Sequence, residues 1–346
     1  MTKRRTILTV SLLLFSGIAA VWLLRSTEPE YDGRTVTEWL EDHVAGKRTH
    51  HPTAIHTIGT NALPWITRQL ARNESVWYAQ YARWQPTFPS VIQKWLPQPR
   101  RKFEVVHGVN AFLLIGTNAI PDLILLLKHR SSSVRQAAAL GLGSLRRETE
   151  DANRSIPALI ETLEDSDRMV RTYAALAFMR MGPDGSNAVP ALTKLVQTTG
   201  VGSETNEYFS LRAAAACALG NIGPSAKDAM PELRAAMQES NAYLRGQSAV
   251  AVWRIDSDVD AALPVLLELL PTISEHAKWD WIIALGEMGP LASNAIPQLE
   301  QELITSQQAG VLNYVTNALL SIDPSWKSKS GGPRKVSPTS ESKPIP

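Results

Sequence analysis

A five-residue phrase occurs seven times between Ala62 and Leu299: a small residue, an aliphatic, proline, any residue, then an aliphatic. Its prolines are Pro64, Pro121, Pro157, Pro190, Pro231, Pro264 and Pro297. Successive prolines lie 57, 36, 33, 41, 33 and 33 residues apart. A period in this range is typical of stacked supersecondary units, which bury their apolar faces only against one another. The pattern therefore predicts one repetitive array rather than two unrelated domains.

Each repeat is predicted to contain two helices. The first, called here the A helix, starts at the proline phrase, because a proline in the first turn removes an N–H donor that has no helical partner. The second, the B helix, starts with an aliphatic–basic pair and continues with alanines. Predicted N-caps of A helices are Asn118, Asn187, Asp228 and Asn294, and of B helices Ser131, Asp167 and Asn241. Predicted C-terminal breaks of B helices are the glycines of the Gly-Pro pairs at Gly182, Gly223 and Gly289.

The phrases Ala-x-Pro-x-Leu and Val-Arg-x-x-Ala-Ala-x-Ala-Leu-x-x-x-Gly resemble HEAT repeats of the short bacterial kind, related to those of phycobilisome lyases. The resemblance covers about residues 117–323, with a weaker extension back to residue 35. It implies an all-α fold, an α-α superhelix or solenoid of about seven helical pairs over residues 35–323. In such a solenoid the B helices line a concave surface. HEAT arrays mostly act as scaffolds and peptide-binding surfaces, so the resemblance specifies the fold more narrowly than the function.

Five basic residues match the recurrent basic position of the HEAT pattern in the B helices. One interpretation makes them a cationic ladder that binds an acidic partner. The other makes them structural, since this residue in HEAT repeats usually pairs with acidic or capping groups of adjacent turns, and Asp167 stands four residues before Arg171. The last repeat has Leu312 at this position, which suits a terminal cap. The five residues are Arg135, Arg171, Arg212, Arg245 and Lys278.

The 57-residue spacing contains an aromatic insertion, residues 73–103, that adds about 24 residues to a repeat of ordinary length. Trp, Tyr and Arg are enriched in binding hot spots and at membrane interfaces, which favours contact with a partner or a bilayer. Alternatively, the rings cap the open end of the solenoid. The candidate binding residues are Trp77, Tyr78, Tyr81, Trp84 and Trp95. The spacing of 41 reflects a smaller insertion at residues 198–207, a polar, glycine-rich loop.

The N-terminus predicts export. Residues 1–6 are basic and are expected in the cytoplasm, and residues 7–24 form an uncharged stretch that would reach roughly 27 Å as a helix, enough for a transmembrane signal anchor. A cleaved signal peptide is the alternative, with Gly17, Ala19 and Ala20 near a processing site. Residues 25–34 are predicted to be a linker. Residues 324–346, rich in Lys, Ser, Gly and Pro, are predicted to be a disordered tail.

Composition limits the remaining classes of function. A formal net charge of +2 from 35 basic and 33 acidic residues does not predict nucleic-acid binding. The single cysteine, Cys217, excludes an internal disulfide and is expected to be a small buried core residue. His50, His51 and His56 lack further ligands at metal-binding spacing, so neither a metal nor a cofactor is expected. In the sequence Trp279-Asp280-Trp281, one tryptophan is expected to face the core.

The leading functional hypothesis is a non-enzymatic scaffold, membrane-anchored and exported, that binds a protein or peptide in the concave groove. The alternative is an accessory enzyme of the chromophore-lyase-like HEAT type, which rests on the resemblance of the repeats. Membrane anchoring argues against that alternative, because such a lyase would act on cytoplasmic phycobiliproteins.

Overall fold

The computed structural model describes residues 28–44, 51–72, 76–93, 104–145, 150–198, 210–273, 275–306 and 309–326. The predicted basic N-terminus and anchor, Trp95, and the tail beyond Trp326 lie outside these residues. In the described part, no single helix is both long and apolar enough to cross a membrane; Val105–Ile115 and Thr117–Leu126 would qualify only together, as a pair bent by 113°. The chain divides into two compact units, residues 1–152 and 153–346.

The described part of the N-terminal unit begins with a two-stranded antiparallel hairpin and continues with helices. Its strands are β1 (Glu30–Tyr31) and β2 (Arg34–Thr35). Its helices are α1 (Val36–Val44), α2 (His51–Ile58), α3 (Leu63–Arg72), α4 (Val76–Trp84), α5 (Ser90–Gln93), α6 (Val105–Ile115), α7 (Ile120–Leu126) and α8 (Ser132–Ser144). Short 3₁₀ helices cover Gly59–Ala62, Gln85–Thr87 and Thr117–Ala119.

The hairpin occupies part of the segment predicted to be a linker, where no strand was expected. Asp32 and Gly33 form its two-residue turn with φ of 52° and 71°. Positive φ at both central positions suits an Asp-Gly turn, whose twist matches that of the flanking strands. The Thr35 N–H then donates to Glu38 Oε2 at 2.8 Å, which ties the hairpin to the first turn of α1.

The C-terminal unit contains the remaining described helical pairs, the first helix of which begins three residues before residue 153. Its helices are α9 (Glu150–Thr162), α10 (Arg168–Met181), α11 (Val189–Gln197), α12 (Leu211–Ile222), α13 (Met230–Ala236), α14 (Ala242–Asp256), α15 (Val259–Leu269), α16 (Glu275–Met288), α17 (Ile296–Thr305) and α18 (Ala309–Ile322). Seven-residue 3₁₀ helices, Gly182–Ala188, Gly223–Ala229 and Gly289–Ala295, precede α11, α13 and α17.

All seven proline phrases lie in A helices, namely α3, α7, α9, α11, α13, α15 and α17. The phrase starts the helix in five of them, whereas Pro157 and Pro264 lie inside α9 and α15. The predicted N-caps of the A helices are wrong. Alanines such as Ala188 occupy the N-cap position with no side-chain cap bond, while Asn187 lies in the 3₁₀ helix. The 3₁₀ carbonyls already accept first-turn N–H groups, as Ser186 does from Val189, so a side-chain cap is not needed.

The ends of the B helices agree with the sequence more closely. Asp167 and Asn241 are N-caps, since their side chains accept from the N–H groups of Val170 and Leu244 at 3.0 and 2.9 Å. Ser131 occupies the same position in α8 without a side-chain cap bond. The predicted glycine breaks are confirmed, because Gly182, Gly223 and Gly289 have φ of 59°, 76° and 58°, a region that favours glycine.

Neighbouring B helices pack closely through small residues, as their alanine-rich sequences predict. A Cβ on Gly220 of α12 would lie 2.8 Å from Ala251 Cα of α14, and one on Gly286 of α16 would lie 3.0 Å from Ala318 Cα of α18. These glycines therefore permit backbone-to-backbone contact that a side chain would prevent. The small-residue stripe is thus a packing feature of the array.

The predicted start of the tail is wrong by at least three residues. Trp326 is 5% exposed, and its indole N–H donates to Glu300 Oε1 of α17 at 2.7 Å. Burial of a large ring with its polar atom paired holds the chain against the last repeat as far as residue 326.

Candidate functional site

Arg135 and Arg171, the first two residues of the cationic ladder, bond to backbone carbonyls just after their own A helix. Arg135 Nη1 donates to the His129 carbonyl at 2.9 Å, and Arg171 Nη1 donates to the Asp165 carbonyl at 2.6 Å. These carbonyls lie just beyond α7 and α9, where a helix leaves acceptors without internal partners and where a cation is favoured. Asp167 caps α10, and Arg171 Nη1 donates to the Asp165 and Ser166 carbonyls rather than to that carboxylate.

The other three basic residues also reach the A helix of the following repeat. Arg212 donates to the Val196 carbonyl at 2.7 Å and holds Glu239 through both terminal nitrogens. Arg245 bonds Glu268 at 2.8 Å. Each of these pairs joins consecutive repeats, because the arginine lies at the start of one B helix and the glutamate near the end of the next A helix.

Lys278 forms an almost fully buried ion pair with Glu302 of α17. Its Nζ lies 2.7 Å from Glu302 Oε1, and the two side chains are 9% and 8% exposed. Breaking such a pair strongly destabilises the fold, because the remaining charge is left unpaired and shielded from water. The ladder bonds agree with the structural interpretation of the basic position. A partner-binding role for these five residues remains a prediction.

A polar cluster that the sequence did not reveal connects three consecutive B helices. Cys217 Sγ of α12 lies 3.6 Å from Asp280 Oδ2 of α16, and Arg254 of α14 donates to Asp280 Oδ1 at 2.9 Å. Arg254 Nε also bonds Glu287 Oε2 at 3.0 Å. Both α12 and α16 pack against α14, so the cluster links three consecutive B helices of the C-terminal unit.

Trp281 of α16 packs against α14 in the core. Its ring is fully buried and packs over Gly246 of α14, where an added Cβ would lie 2.0 Å from Cζ2. Tyr243 stacks on it with ring centroids 6.4 Å apart. The neighbouring Trp279 is 40% exposed. The prediction that one tryptophan of the pair faces the core is thus confirmed.

The pKa shifts of Cys217, Tyr243 and Arg254 all favour the ordinary protonation state of each group. It raises the pKa of the Cys217 thiol well above its usual value, and the negative charge of Asp280 adds to this shift. Burial likewise raises the pKa of Tyr243. For Arg254, burial alone would lower the pKa, but Asp280 and Glu287 outweigh it and raise the pKa. A thiol, a phenol and a paired guanidinium do not form an activated nucleophile.

We expect Cys217 to resist alkylation in the folded protein. Because its pKa is raised, the thiolate fraction at pH 8 should be far below that of a free cysteine, and iodoacetamide should react at least about tenfold more slowly than with the urea-unfolded chain. Mass spectrometry of timed samples measures this. Equal rates for the folded and unfolded chain would show that the thiol is accessible and ionised.

The aromatic insertion leaves two rings on the surface. Trp84, at the end of α4, is 53% exposed, and Phe88, four residues later, is 40% exposed. Tyr81 is half-buried. Trp77 and Tyr78 lie in α4, and only their backbone positions are described, so the structure locates two of the five predicted aromatic binding residues by their side chains. Among the described residues, no group of three His, Cys, Asp or Glu side chains could hold a metal.

Comparison with protein families identifies the repeats. Residues 120–207 match HEAT repeats, and residues 211–239 match the PBS lyase HEAT-like repeat. Comparison with curated proteins finds no match.

Solved structures with similar folds include a natural complex and engineered proteins. The complex of CpcE and CpcF of phycocyanin lyase from Nostoc sp. PCC7120 is similar with 21% identity and a TM-score of 0.45, over 64% of this chain and 91% of that one. One engineered protein is similar with 22% identity and a TM-score of 0.38, over 62% and 98% of the chains. Another has 18% identity and a TM-score of 0.38, over 83% and 77%. The family matches confirm that the repeats between residues 120 and 239 are HEAT repeats, of the type that the sequence predicts.

Proposed function

We propose that this chain is a non-enzymatic interaction scaffold that binds a protein or peptide partner. The observation that carries the proposal is the exposure of Trp84 and Phe88 on the segment that interrupts the repeats. A tryptophan that leaves half its surface in water stabilises the folded chain little, and tryptophans are enriched among the residues that dominate binding energy. The repeats supply a rigid frame that presents these rings.

Two exposed rings on B helices of the C-terminal unit support the same function. Trp279 of α16 and Tyr314 of α18 are 40% and 43% exposed near the N-terminal ends of neighbouring B helices. The cluster of Cys217, Arg254 and Asp280 in this unit contains a protonated thiol and paired charges rather than a reactive group. We propose that Trp279 and Tyr314 belong to a partner-binding surface of the C-terminal unit.

We expect Trp84→Ala to weaken partner binding at least about tenfold without lowering the melting temperature, because the ring is 53% exposed on the aromatic insertion. The measurement is quantitative capture from membranes of the source cells by the tagged full-length chain, with circular dichroism of each variant. Leu125→Ala is the control, since Leu125 is 73% exposed on α7 of the same unit. Loss of folding in Trp84→Ala would support the end-cap interpretation instead, and unchanged capture would contradict the proposed role of the ring.

We further propose that residues 7–24 anchor the chain with its body outside the cytoplasm. The support is the basic N-terminus, the uncharged 18-residue stretch and the acidic residues that follow it. In a bacterial host, protease added to spheroplasts should digest the body of the full-length chain. The truncated chain that begins at residue 28 should stay protected, and protection of both forms would contradict export.

The alternative function is an accessory enzyme of the chromophore-lyase type. The match of residues 211–239 to the PBS lyase HEAT-like repeat favours it. The thiol within that segment, Cys217, is buried and its pKa is raised, which does not suit a reactive group. Covalent attachment of a bilin to an apo-phycobiliprotein only when this chain is present would establish the alternative and overturn the scaffold proposal.

A further inference from the structure

A groove lies between the A helices α11 and α13 in the C-terminal unit. It has a volume of about 340 Å³ and is open on one side. Val196, Pro231, Ala235 and Ala236 give it an apolar lining. Its polar lining comes from the remaining residues, Gln197, Arg212, Glu232 and Glu239.

The sequence of α13 explains why the groove occurs here. Ala235 and Ala236 stand four and five residues after the phrase proline, Pro231. The other six copies place longer side chains at both positions. In order, they are Arg68-Gln69, Leu125-Leu126, Glu161-Thr162, Lys194-Leu195, Glu268-Leu269 and Gln301-Glu302. Two alanines therefore leave space beside α13 that other A helices fill.

The charges around the groove are unbalanced. Arg212 is held by Glu239 through two hydrogen bonds, so these two charges compensate each other. Glu232 has no ion pair in the described structure: its Oε1 accepts from Gln197 Nε2 at 2.8 Å, and its Oε2 is shielded from solvent with no hydrogen-bond partner among the described residues. A shielded carboxylate oxygen without a donor is unfavourable, and a cationic donor would relieve this cost.

We infer that this groove is a subsite for a lysine or arginine side chain of the partner. The aliphatic stem would lie along Pro231, Ala235 and Ala236, and the cationic head would reach Glu232. The inference rests on the proposed scaffold function and specifies part of its chemistry. It assigns recognition of a basic side chain to Glu232, while Arg212 and Glu239 keep their structural roles.

The test uses two peptides with acetylated and amidated ends. One is Ala-Arg-Ala-Arg-Ala, and in the other both arginines are replaced by citrulline, their neutral isostere. Isothermal titration measures their binding to the full-length chain in detergent. The arginine peptide should bind at least about tenfold more tightly than the citrulline peptide, and Glu232→Gln should remove about the same factor. Ala235→Leu, which fills the groove without changing charge, should also weaken the arginine peptide.

Glu164→Gln is the matched control, because Glu164 is 69% exposed on another repeat and pairs with Lys194. It should leave binding unchanged, and the melting temperature of every variant should stay within about 2 °C of wild type, since surface changes rarely exceed about 0.5 kcal/mol. Equal binding of the two peptides, or binding that survives both groove substitutions, would overturn the inference. Capture of the natural partner by Glu232→Gln at full strength, with loss on Trp84→Ala, would overturn the subsite and leave the scaffold proposal standing.

Discussion

Gly246→Ala is expected to lower the free energy of unfolding by about 3 kcal/mol, at the upper end of what overpacking costs in a core. The added Cβ would lie 2.0, 2.3 and 2.6 Å from three atoms of the Trp281 ring. That ring is fully buried and stacked on Tyr243, so it cannot move aside without disturbing the contact between α14 and α16. Urea denaturation followed by circular dichroism measures the change.

Gly310→Ala is the control for this substitution. Gly310 also lies in a helix, α18, but an added Cβ would meet nothing within 4 Å, so alanine should be neutral or stabilise by about 0.5 kcal/mol. Trp281→Leu removes the clash and leaves a cavity, so the two changes should be strongly non-additive in a double-mutant cycle. Additive energies, or an unchanged unfolding curve for Gly246→Ala, would contradict the close packing of these two helices.

Lys278→Met is expected to destabilise the chain by about 3–5 kcal/mol, the range for breaking a buried ion pair. The substitution leaves the Glu302 carboxylate buried without its cation, and both side chains of the pair are less than a tenth exposed. The same denaturation experiment measures the loss. Lys194→Met, which breaks an ion pair whose side chains are 74% and 69% exposed, should cost no more than about 1 kcal/mol.

The double variant Lys278→Met, Glu302→Leu shows whether the single change destabilises the chain by removing the attraction between the two charges or by leaving the Glu302 charge unpaired. Replacing both partners by apolar side chains of similar size should recover most of the stability that the single change removes. If the single change costs as little as Lys194→Met, the ladder does not hold consecutive repeats together in the way that the structure indicates.

The parts of the fold that depend on local sequence could be predicted. The proline phrases predicted the positions of the A helices, and the Gly-Pro pairs predicted where B helices end. Proline and glycine both act through the backbone of their own turn. The predicted N-caps of the A helices were wrong because Asn187 and its equivalents lie in 3₁₀ helices. Residue propensities do not distinguish a 3₁₀ turn from a helix cap at these positions. The Asp32-Gly33 hairpin had a sequence signal that went unused, since strands were not expected beside a helical array.

The candidate sites were harder to predict, because they depend on contacts between distant repeats. Cys217 and Asp280 are 63 residues apart and meet because α12 and α16 both pack against α14. Comparison of the seven proline phrases shows that only one has alanine at both groove positions, Ala235 and Ala236, so the sequence carries a signal for the groove. It carries no signal for the unpaired oxygen of Glu232. The sequence showed the cationic ladder but could not show what it binds. In the structure its five basic side chains bond carbonyls and carboxylates of the array.

Photo-crosslinking from position 84 tests the central claim, that the chain is a scaffold that binds a partner through its exposed aromatic insertion. Trp84 is replaced by benzoylphenylalanine in the full-length chain, and Leu125 is replaced in a second sample as the control. The account predicts that irradiation of membranes yields one discrete protein adduct from position 84 that is missing from position 125. Only intramolecular or lipid adducts from position 84 would contradict it.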